Sequence, residues 1–440
     1  MCGILGVVAA RGDRPSVGRS QFEAMRDSMT ARGPDDSGLL LRENVAFGHR
    51  LLAIRDRDGG SQPVLSADDS LALVYNGELY NDDELRHELR NLGHSFRTRC
   101  DTETLLTAWL EWGPYCLQRL RGMFAFAVYD FATHTLSLVR DRFGIKPLFF
   151  ASVNREVSFA SSVSALLLHP QISRDPDWSA ISHYLTTFRT TLGRQTLFRG
   201  IRQLRPAEIL TWELNTDQVR IDRYWDFPEQ SQSNFDIDTA SDRFESLLED
   251  AARSRLVSDV PVGMFLSGGV DSSLLASTVA DSHSGRLLGS CGSGVNDSAA
   301  LTPGLGDGSS DDSDFAARCA SHSGFEFDSV KVTADNYRST WESLISESGL
   351  PLSTPNDVIL FRLAERMKQS VGVVLGGEGA DELLCGYAQP HWGIEDFRLA
   401  GLSKSGHWPG TPASERIFLQ SLNESYGRTE FLGPVDHYFA

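Results

Sequence analysis

The chain has 440 residues, of which 41% are hydrophobic and 23% charged, and its formal net charge at pH 7 is −18. One hydrophobic core rarely organises this length, so we expect two or three domains. The composition is typical of a globular protein, and the acidic excess argues against nucleic acid or an anionic membrane as a partner. No stretch approaches the roughly 20 apolar residues of a membrane span, and no secretion signal is recognisable. Six scattered cysteines favour a reducing cytoplasm over a disulfide framework.

The chain opens with MCGILGVV, which places Cys2 directly after the initiator methionine and before an apolar strand. If Met1 is removed, Cys2 carries a thiol and a free α-amine, and the amine can serve as the base for the thiol. Their ordinary pKa values, about 8.5 and about 8, make this proton exchange nearly balanced. A small buried cysteine in a first strand is the alternative, and this stretch alone leaves both open.

The first half of the chain mixes short apolar strands with helices. Strands are predicted in LALVYNGELY, MFAFAVYD, TLSLVRD and LFFAS, and helices in FEAMRDSM, DDELRHELRNLG and DTETLLTAWLEWG. Asp101 is predicted to cap the last of these helices and Gly113 to end it. Such a mixture indicates layers of both element types. Two more strands are predicted around a turn at Arg205 and Pro206, and a polar linker, YWDFPEQSQSNFD, follows them.

The pattern changes at Phe235 to the strand–loop–helix type of parallel α/β proteins. The helix DTASDRFESLLEDAARSRL precedes the strand VGMFL, a glycine turn and the helix SSLLASTVA. Residues 284–314 are rich in Gly, Ser and Asp, and we expect a mobile surface loop there. The helix DFAARCASHSG, the strand FEFDSVKVT, the helix VILFRLAERMKQSV and the strand GVVL follow. Beyond Tyr387 the pattern weakens.

The segment SGGVDSS, residues 267–273, joins the strand VGMFL to the next helix. Its glycines permit a tight turn that aims backbone amides outward, and the helix N-terminus adds positive potential. Its serines add hydroxyl donors, so the segment is predicted to hold a pyrophosphate group. It is not a Walker loop, because no Gly-Lys-Ser/Thr closes it. A plain glycine turn in which Asp271 caps the helix is the alternative.

A second glycine segment, GGEGADE, follows the strand GVVL. The carboxyl edge of a parallel sheet is a common place for ligand sites. Glu378 has the chemistry of a base, and Asp381 and Glu382 have that of Mg²⁺ ligands. A turn with solvated acids is an equal alternative.

Polar residues in the first half together offer what free glutamine requires. Asn76 and the amide of Gly77 follow a predicted strand and are candidates for an oxyanion hole. Arg50 offers a fork for a carboxylate, and Asp101 offers a partner for an ammonium group. Their structural alternatives are a strand-end turn, a surface salt bridge and a helix cap.

In this order the motifs resemble the glutamine-dependent asparagine synthetase family. The first half resembles a class II glutamine amidotransferase domain, through MCGILGV, RGPDDSG, GHRLLAI, YNGELYN, DTETLL, LRGMFAFAVYD and RDRFGIKPLF. The second half resembles an ATP-pyrophosphatase domain, through DVPVGMFLSGGVDSSLLAS and LGGEGADELLCGY. The resemblance implies an α+β N-terminal-nucleophile (αββα) domain over residues 2–190, connecting strands and a linker over 191–234, and an α/β parallel-sheet domain over 235–440.

The resemblance also implies two sites. Cys2 would attack the glutamine amide while Asn76 and Gly77 stabilise the oxyanion, and Glu378 would serve adenylate formation and attack by ammonia. The glutamine-binding positions would be Arg50, Leu51, Ile54, Asn76, Gly77, Glu78 and Asp101. The positions for ATP and pyrophosphate would be Leu266, Ser267, Gly268, Gly269, Asp271, Ser272, Ser273, Gly376 and Gly377, and those for Mg²⁺ would be Asp271 and Asp381.

The implied activity is that of an ATP-dependent carbon–nitrogen ligase. Ammonia from glutamine would pass through an internal tunnel to an adenylated carboxylate, by default aspartate, and a homodimer is compatible with the family. The chain departs from the family at Gly376, where serine is usual, and at Ser162, where an acid is usual. No match to the family's helical segment follows Tyr387, so we expect a synthetase domain that is shortened at its carboxyl end.

Two alternatives to asparagine synthesis stay open. One is an amidotransferase of the same family that acts on another carboxylate in natural-product or polysaccharide biosynthesis. The other is a glutaminase with an impaired synthetase half.

Overall fold

The computed structural model describes residues 2–54, 56, 60–187, 189–228, 236–283, 285–294 and 312–384. Its contacts divide the chain into two compact units, Met1–Gly376 and Gly377–Ala440. The strands are β1 Gly3–Ala9, β2 Asp36–Arg42, β3 Val45–Leu51, β4 Val64–Leu65, β5 Leu71–Leu79, β6 Gly122–Asp130, β7 Thr135–Arg140, β8 Phe149–Val153, β9 Glu156–Ala160, β10 Arg202–Gln203, β11 Glu208–Glu213, β12 Gln218–Arg223, β13 Val262–Phe265, β14 Leu288–Gly294, β15 Glu326–Val332 and β16 Val373–Leu375. The helices are α1 Arg19–Asp27, α2 Asp82–Asn91, α3 Asp101–Trp112, α4 Val163–Leu167, α5 Trp178–Thr187, α6 Ile237–Arg255, α7 Val270–Ser282, α8 Asp312–Ser323, α9 Ala334–Ser348, α10 Asn356–Met367 and α11 Ala380–Leu384, with a 3-10 helix at Gly113–Gln118.

Two six-stranded antiparallel sheets build the first half of the chain. One has the order β10-β8-β9-β1-β3-β2 and the other the order β12-β11-β7-β6-β5-β4. A single buried cluster takes Ile4 and Phe47 from the first sheet and Val74 and Trp212 from the second. The two sheets therefore pack face to face around this core.

Helices cover the outer faces of both sheets. Successive side chains of a strand point to opposite faces, so Leu5 and Val7 of β1 point away from the shared core. They pack instead with Phe22 and Met25 of α1 and with Leu166 of α4. On the second sheet the helices α2 and α3 pack through Leu85, Leu89, Leu105 and Leu106. The resulting order of layers, α-β-β-α, confirms the predicted N-terminal-nucleophile fold.

The second half contains a parallel four-stranded sheet in the order β15-β14-β13-β16. The helix α6 precedes this sheet, and Asp236 caps it by accepting a hydrogen bond from Thr239 N at 2.9 Å. Met264 lies in β13 and Leu266 directly follows this strand. Both share a core with Ala276 of α7 and Ala316 of α8. This sheet confirms the α/β parallel part of the prediction.

The expectation of a loop over residues 284–314 was wrong for its first part. The segment LGSCGSG forms β14, which lies between β13 and β15 in the parallel sheet. Ser290 and Cys291 are buried, and the helices α8 and α10 both contact the strand. Small residues suffice here because neighbouring elements fill the space, and so the local pattern carries no apolar signal. Residues 284 and 295–311 lie outside the described residues, as does most of the predicted linker, residues 229–235.

Two local predictions also need correction, and the alternative in which Asp271 caps a helix is excluded. Asn76 and Gly77 do not follow a strand but lie inside β5, which continues to Leu79. Asp101 does not cap α3, because it is the first helical residue and Cys100 occupies the cap position. Asp271 does not cap α7 either, since Gly269 holds that position. The predicted end of α3 at Gly113 is confirmed.

In the part of the chain that the structure describes, no helix is long and apolar enough to cross a membrane. The five cysteines described there, Cys2, Cys100, Cys116, Cys291 and Cys319, all carry free thiols.

Candidate active site

Cys2 directly precedes β1, and the pairing of Gly3 with Arg50 of β3 anchors the start of that strand. The backbone N–H of Leu52 approaches Cys2 Sγ at 3.4 Å, and Arg32 Nε donates to the Cys2 carbonyl at 3.2 Å. The thiol and the backbone of Cys2 are therefore held by two separate segments. Burial raises the pKa of the Cys2 thiol.

Cys2 lines a cavity of about 80 Å³. Of the eight residues predicted for glutamine chemistry, all except Arg50 line it: Cys2, Leu51, Ile54, Asn76, Gly77, Glu78 and Asp101. They come from the start of β1, the segment around the end of β3, the strand β5 and the start of α3. Residues that carry a thiol, amides and carboxylates thus line one small cavity.

Asn76 and Gly77, the residues predicted to form an oxyanion hole, both line this cavity. Asn76 is 1% exposed, and its Nδ2 has no hydrogen-bond partner among the residues that the structure describes. A buried donor without a partner is costly, and a catalytic or ligand-binding role is one explanation for such a group. At Gly77 a Cβ atom would lie 2.4 Å from the carbonyl oxygen of Met123 on β6, so only glycine permits this close pairing.

Asp101 is anchored on the cavity wall by two hydrogen bonds. Its Oδ2 accepts from the Tyr75 hydroxyl and from the backbone N–H of Leu79, each at 2.9 Å. Both donors belong to β5 or its end, which ties the first turn of α3 to the strand that carries Asn76. Burial raises the pKa of Tyr75 well above its ordinary value, so the phenol stays protonated as the donor.

Arg50 lies apart from the residues that line the cavity. Its Nε donates to the Gly33 carbonyl at 2.9 Å, and its Nη1 lies 3.4 Å from Asp27 Oδ1. The prediction that its guanidinium meets a ligand carboxylate therefore requires an atom other than Nε, or a rearrangement of this contact.

Leu52, within the segment 51–54 that was predicted to help bind glutamine, also lines the cavity. Seven further lining residues were not predicted from the sequence: Gly60, Gln62, Tyr75, Cys100, Thr102, Met123 and Lys146. The side chain of Gln62 connects Tyr75 with Thr102. Its Oε1 accepts from Tyr75 N at 2.7 Å, and its Nε2 donates to Thr102 Oγ1 at 3.3 Å. Tyr75 directly precedes Asn76, and Thr102 directly follows Asp101. Their positions next to predicted site residues could have indicated that they line the site. Lys146 belongs to the motif RDRFGIKPLF, which contributed to the family resemblance, but no role in the site was predicted for this lysine.

The segment 267–273 joins β13 to α7 and is held by its own serines. Ser267 Oγ lies 3.0 Å from Ser272 Oγ, and Gly269 N donates to Ser267 Oγ at 3.3 Å. Gly268 has a φ of +75°, a conformation that glycine adopts without strain. The turn exposes Ser267 and Gly269 at the N-terminal end of a 13-residue helix. This geometry is suited to an anionic ligand.

Some of the predicted nucleotide positions meet at one sheet edge. Met264 of β13 pairs in parallel with Leu375 of β16, so Leu266 and Ser267 emerge beside Gly376. Asp271 and Ser273 are partly exposed in the first turn of α7, and Ser272 is buried there. Gly377, Glu378 and Asp381 belong to the second unit, where α11 begins at Ala380 and Ala380 N donates to the Gly377 carbonyl at 3.3 Å.

No group of three or more His, Cys, Asp or Glu side chains suited to a metal ion occurs among the described residues. Ser162, which stands where the resemblance implies an acid, caps α4 by accepting from Ala165 N at 3.4 Å.

Comparisons with known proteins match both halves of the chain. A family model described as a glutamine amidotransferase domain matches residues 1–225, and one described as asparagine synthase matches residues 243–425. Asparagine synthetase [glutamine-hydrolyzing] 3 of Bacillus subtilis is 33% identical over 402 residues, which are 89% of this chain and 64% of that protein. Asparagine synthetase [glutamine-hydrolyzing] 1 of the same organism is 32% identical over 397 residues, 88% of this chain and 59% of that protein.

Among solved structures, glutamine phosphoribosylpyrophosphate amidotransferase from B. subtilis matches 64% of each chain at 18% identity with a TM-score of 0.37. Of the two curated relatives from B. subtilis described above, the chain spans 64% and 59% of the length.

Proposed function

The chain belongs to the glutamine-dependent asparagine synthetase family, and on this premise we propose that it forms an amide from a carboxylate, with ATP as activator and glutamine as nitrogen donor. One observation carries the first half of the proposal: the buried Nδ2 of Asn76 has no partner among the described residues, and it lines the same cavity as Cys2. A donor of this kind suits the oxyanion that forms when a thiolate attacks an amide.

In the glutaminase half, Cys2 acts as the nucleophile. The α-amine of a processed chain takes the thiol proton, and the thiolate attacks the glutamine carbonyl. Asn76 Nδ2 and the Gly77 amide stabilise the tetrahedral oxyanion. Collapse of this intermediate forms a thioester and expels ammonia, which takes up the transferred proton, and water then releases glutamate. In this proposal Glu78 and Asp101, which both line the cavity, bind the substrate ammonium group.

In the synthetase half, the exposed amides and hydroxyls of residues 267–273 bind the phosphates of ATP. The acceptor carboxylate attacks the α-phosphorus, and pyrophosphate leaves. Ammonia then attacks the acyl adenylate, which yields the amide and AMP. Glu378 serves this step in our proposal, and Leu266, Gly376 and Gly377 face the nucleoside.

Mg²⁺ suits the chemistry at this edge, because Asp271 supplies a carboxylate in the first turn of α7 and this cation is usually held by one or two carboxylates together with phosphates. In our proposal Asp271 would hold the ion, which would neutralise phosphate charge. We propose aspartate as the acceptor and the cytoplasm as the location, and we assign residues 2–190, 191–234 and 235–440 to the amidotransferase domain, the connection and the synthetase domain.

The test supplies ATP, amide-¹⁵N-glutamine and a panel of carboxylates, and it measures products by mass spectrometry. We expect labelled asparagine, with AMP and pyrophosphate formed in equal amounts. Label in another amide would replace aspartate as the acceptor. Glutamate formation without AMP for every carboxylate would overturn the synthetase half of the proposal.

Cys2→Ala separates the two sites. We expect it to abolish synthesis from glutamine and to leave synthesis from free ammonia, because the thiol has no part in adenylation. Cys319→Ala, in α8 of the second half, is the matched control and should retain both activities. Glutamine hydrolysis by the Cys2→Ala protein at the wild-type rate would exclude Cys2 as the nucleophile.

A further inference from the structure

Lys146 lines the Cys2 cavity, although it is 144 positions away in the chain. It is 6% exposed, an unusual situation for a lysine, because burying an ammonium group is costly. Among the described residues, no carboxylate lies within ion-pair distance of its Nζ. Lys146 therefore lines the cavity without a salt bridge to any carboxylate in the described part of the chain.

The backbone of Lys146 is held from both sides. Its N–H donates to Asp141 Oδ2 at 2.9 Å, and its carbonyl accepts from Arg140 Nε at 2.9 Å. Asp141 is fully buried and also accepts from Phe124 N, whose residue pairs with Gly77 across β5 and β6. Lys146 is thus tied to the strand pair that carries the proposed oxyanion hole.

The residue type is also informative. The chain contains 41 basic residues, yet Lys146 precedes every other lysine, and the next is Lys331. Arginine therefore serves as the basic residue throughout the first 330 positions, with this one exception. Lysine is a compact point charge on a flexible stem and is less bulky than the arginine fork, which suits a small cavity.

We propose that Lys146 is a positioning residue whose ammonium charge stabilises the thiolate of Cys2. The inference rests on the proposed function, in which Cys2 is the nucleophile, and it adds a source of nucleophile activation to the α-amine. Lys146 touches no reacting atom in this scheme, since it acts through the charge state of the sulfur.

The charged groups around Cys2 support this assignment. Burial is the main influence and raises the pKa of the Cys2 thiol. The hydrogen bond from the Leu52 backbone, the charge of the terminal amine and the charge of Lys146 lower this pKa, in that order, and the carboxylate of Asp101 raises it. Arg32 is a second nearby cation, and its Nε donates to the Cys2 carbonyl at 3.2 Å. For Lys146 itself, burial lowers the pKa, and the neighbouring Arg32 adds to this, whereas Asp141, Cys2 and Glu78 oppose it. A cation in the cavity therefore offsets part of the cost of a buried thiolate.

The test measures the pH dependence of Cys2 alkylation by iodoacetamide in the full chain, with the Cys2 peptide quantified by mass spectrometry. Lys146→Met and Lys146→Gln remove the charge and keep most of the stem, and Lys146→Arg keeps the charge. We expect the midpoint of Cys2 alkylation to rise by about one pH unit in both neutral variants and to stay near the wild-type value in Lys146→Arg. Lys368→Met, at an exposed position, is the control and should leave the midpoint unchanged.

Alkylation needs no turnover, so this outcome is independent of whether glutamine is the substrate. A wild-type midpoint in the folded neutral variants would overturn the proposal. An equal shift in Lys146→Arg, with an unchanged melting temperature, would do the same, because it would show that the shape of lysine matters and its charge does not. If one neutral variant fails to fold, the other carries the test.

Discussion

Asp101 and Tyr75 are joined by a buried hydrogen bond in which the Tyr75 hydroxyl donates to Asp101 Oδ2 at 2.9 Å. Both residues line the Cys2 cavity, and the bond links the first turn of α3 to the middle of β5. The position of a proposed substrate-binding carboxylate therefore depends on the strand that carries Asn76.

Tyr75→Phe should weaken glutamine binding more than it slows the chemical step. Without the hydroxyl, Asp101 Oδ2 loses one of the two hydrogen bonds described above and keeps the one from the Leu79 backbone N–H. The loss of a buried hydrogen bond costs about 1–2 kcal/mol of stability. We expect a higher KM for glutamine, a nearly unchanged kcat and a lower melting temperature. Tyr115→Phe, at a residue that is 82% exposed, is the control. A wild-type KM in Tyr75→Phe would show that Asp101 does not depend on this bond.

Asn76→Ala should lower turnover without a comparable loss of stability. The lost Nδ2 group has no partner in the described part of the folded chain, whereas a missing oxyanion donor typically costs about 10²–10³ in kcat. Initial rates of glutamate formation measure the effect.

Asn81→Ala is the contrasting variant for Asn76, because the side chain of Asn81 bonds to Arg119 O and Arg121 N and does not line the cavity. It should lower the melting temperature and leave kcat unchanged. If Asn76→Ala instead lowered the melting temperature and left kcat unchanged, Asn76 would have a structural role and not a catalytic one.

His49 makes stability depend on pH. It is 1% exposed in β3, its Nε2 donates to the Tyr75 carbonyl at 3.2 Å, and burial lowers its pKa from 6.5 to about 4. Between these values the unfolded chain binds more protons than the folded chain, so stability is fully present above pH 6.5 and is lost as the pH falls towards 4. The full loss is roughly 3 kcal/mol.

Urea unfolding at a series of pH values measures this contribution of His49. His49→Gln should flatten the acid side of the stability curve, and His87→Gln, at an exposed position of α2, should leave its slope unchanged. An unaltered slope in His49→Gln would mean that other groups cause the loss.

Asp271→Asn should impair nucleotide chemistry and spare glutamine hydrolysis. In our proposal the Asp271 carboxylate holds the Mg²⁺ that neutralises the phosphates of ATP. Its removal should lower the rate of pyrophosphate formation about 10–100-fold, because contacts to charged groups contribute about 1.5–3 kcal/mol. Asp281→Asn, near the other end of the same helix, is the matched control. Wild-type pyrophosphate formation by Asp271→Asn would exclude a role for this carboxylate.

Several features were predictable because they depend on neighbouring residues. Short apolar runs predicted most strands of the two sheets, and Gly113 predicted the end of α3. The glycine and serine pattern of residues 267–273 predicted a turn between a strand and a helix, since the turn requires a left-handed glycine at position 268. Local composition failed at β14, where burial comes from other elements and leaves no apolar signal in the strand itself.

By itself, then, the sequence determined the order of strands and helices, the two glycine segments and the family resemblance, because each is encoded in contiguous residues. Only the tertiary structure decided that Asp101 is a wall of the Cys2 cavity and not a helix cap, that Asn76 carries a buried donor without a described partner, and that Lys146 lies in the same cavity. These relationships join residues from separate strands and helices. Their physical cause is the packing of the sheets and helices, which brings distant side chains together and removes water from around them.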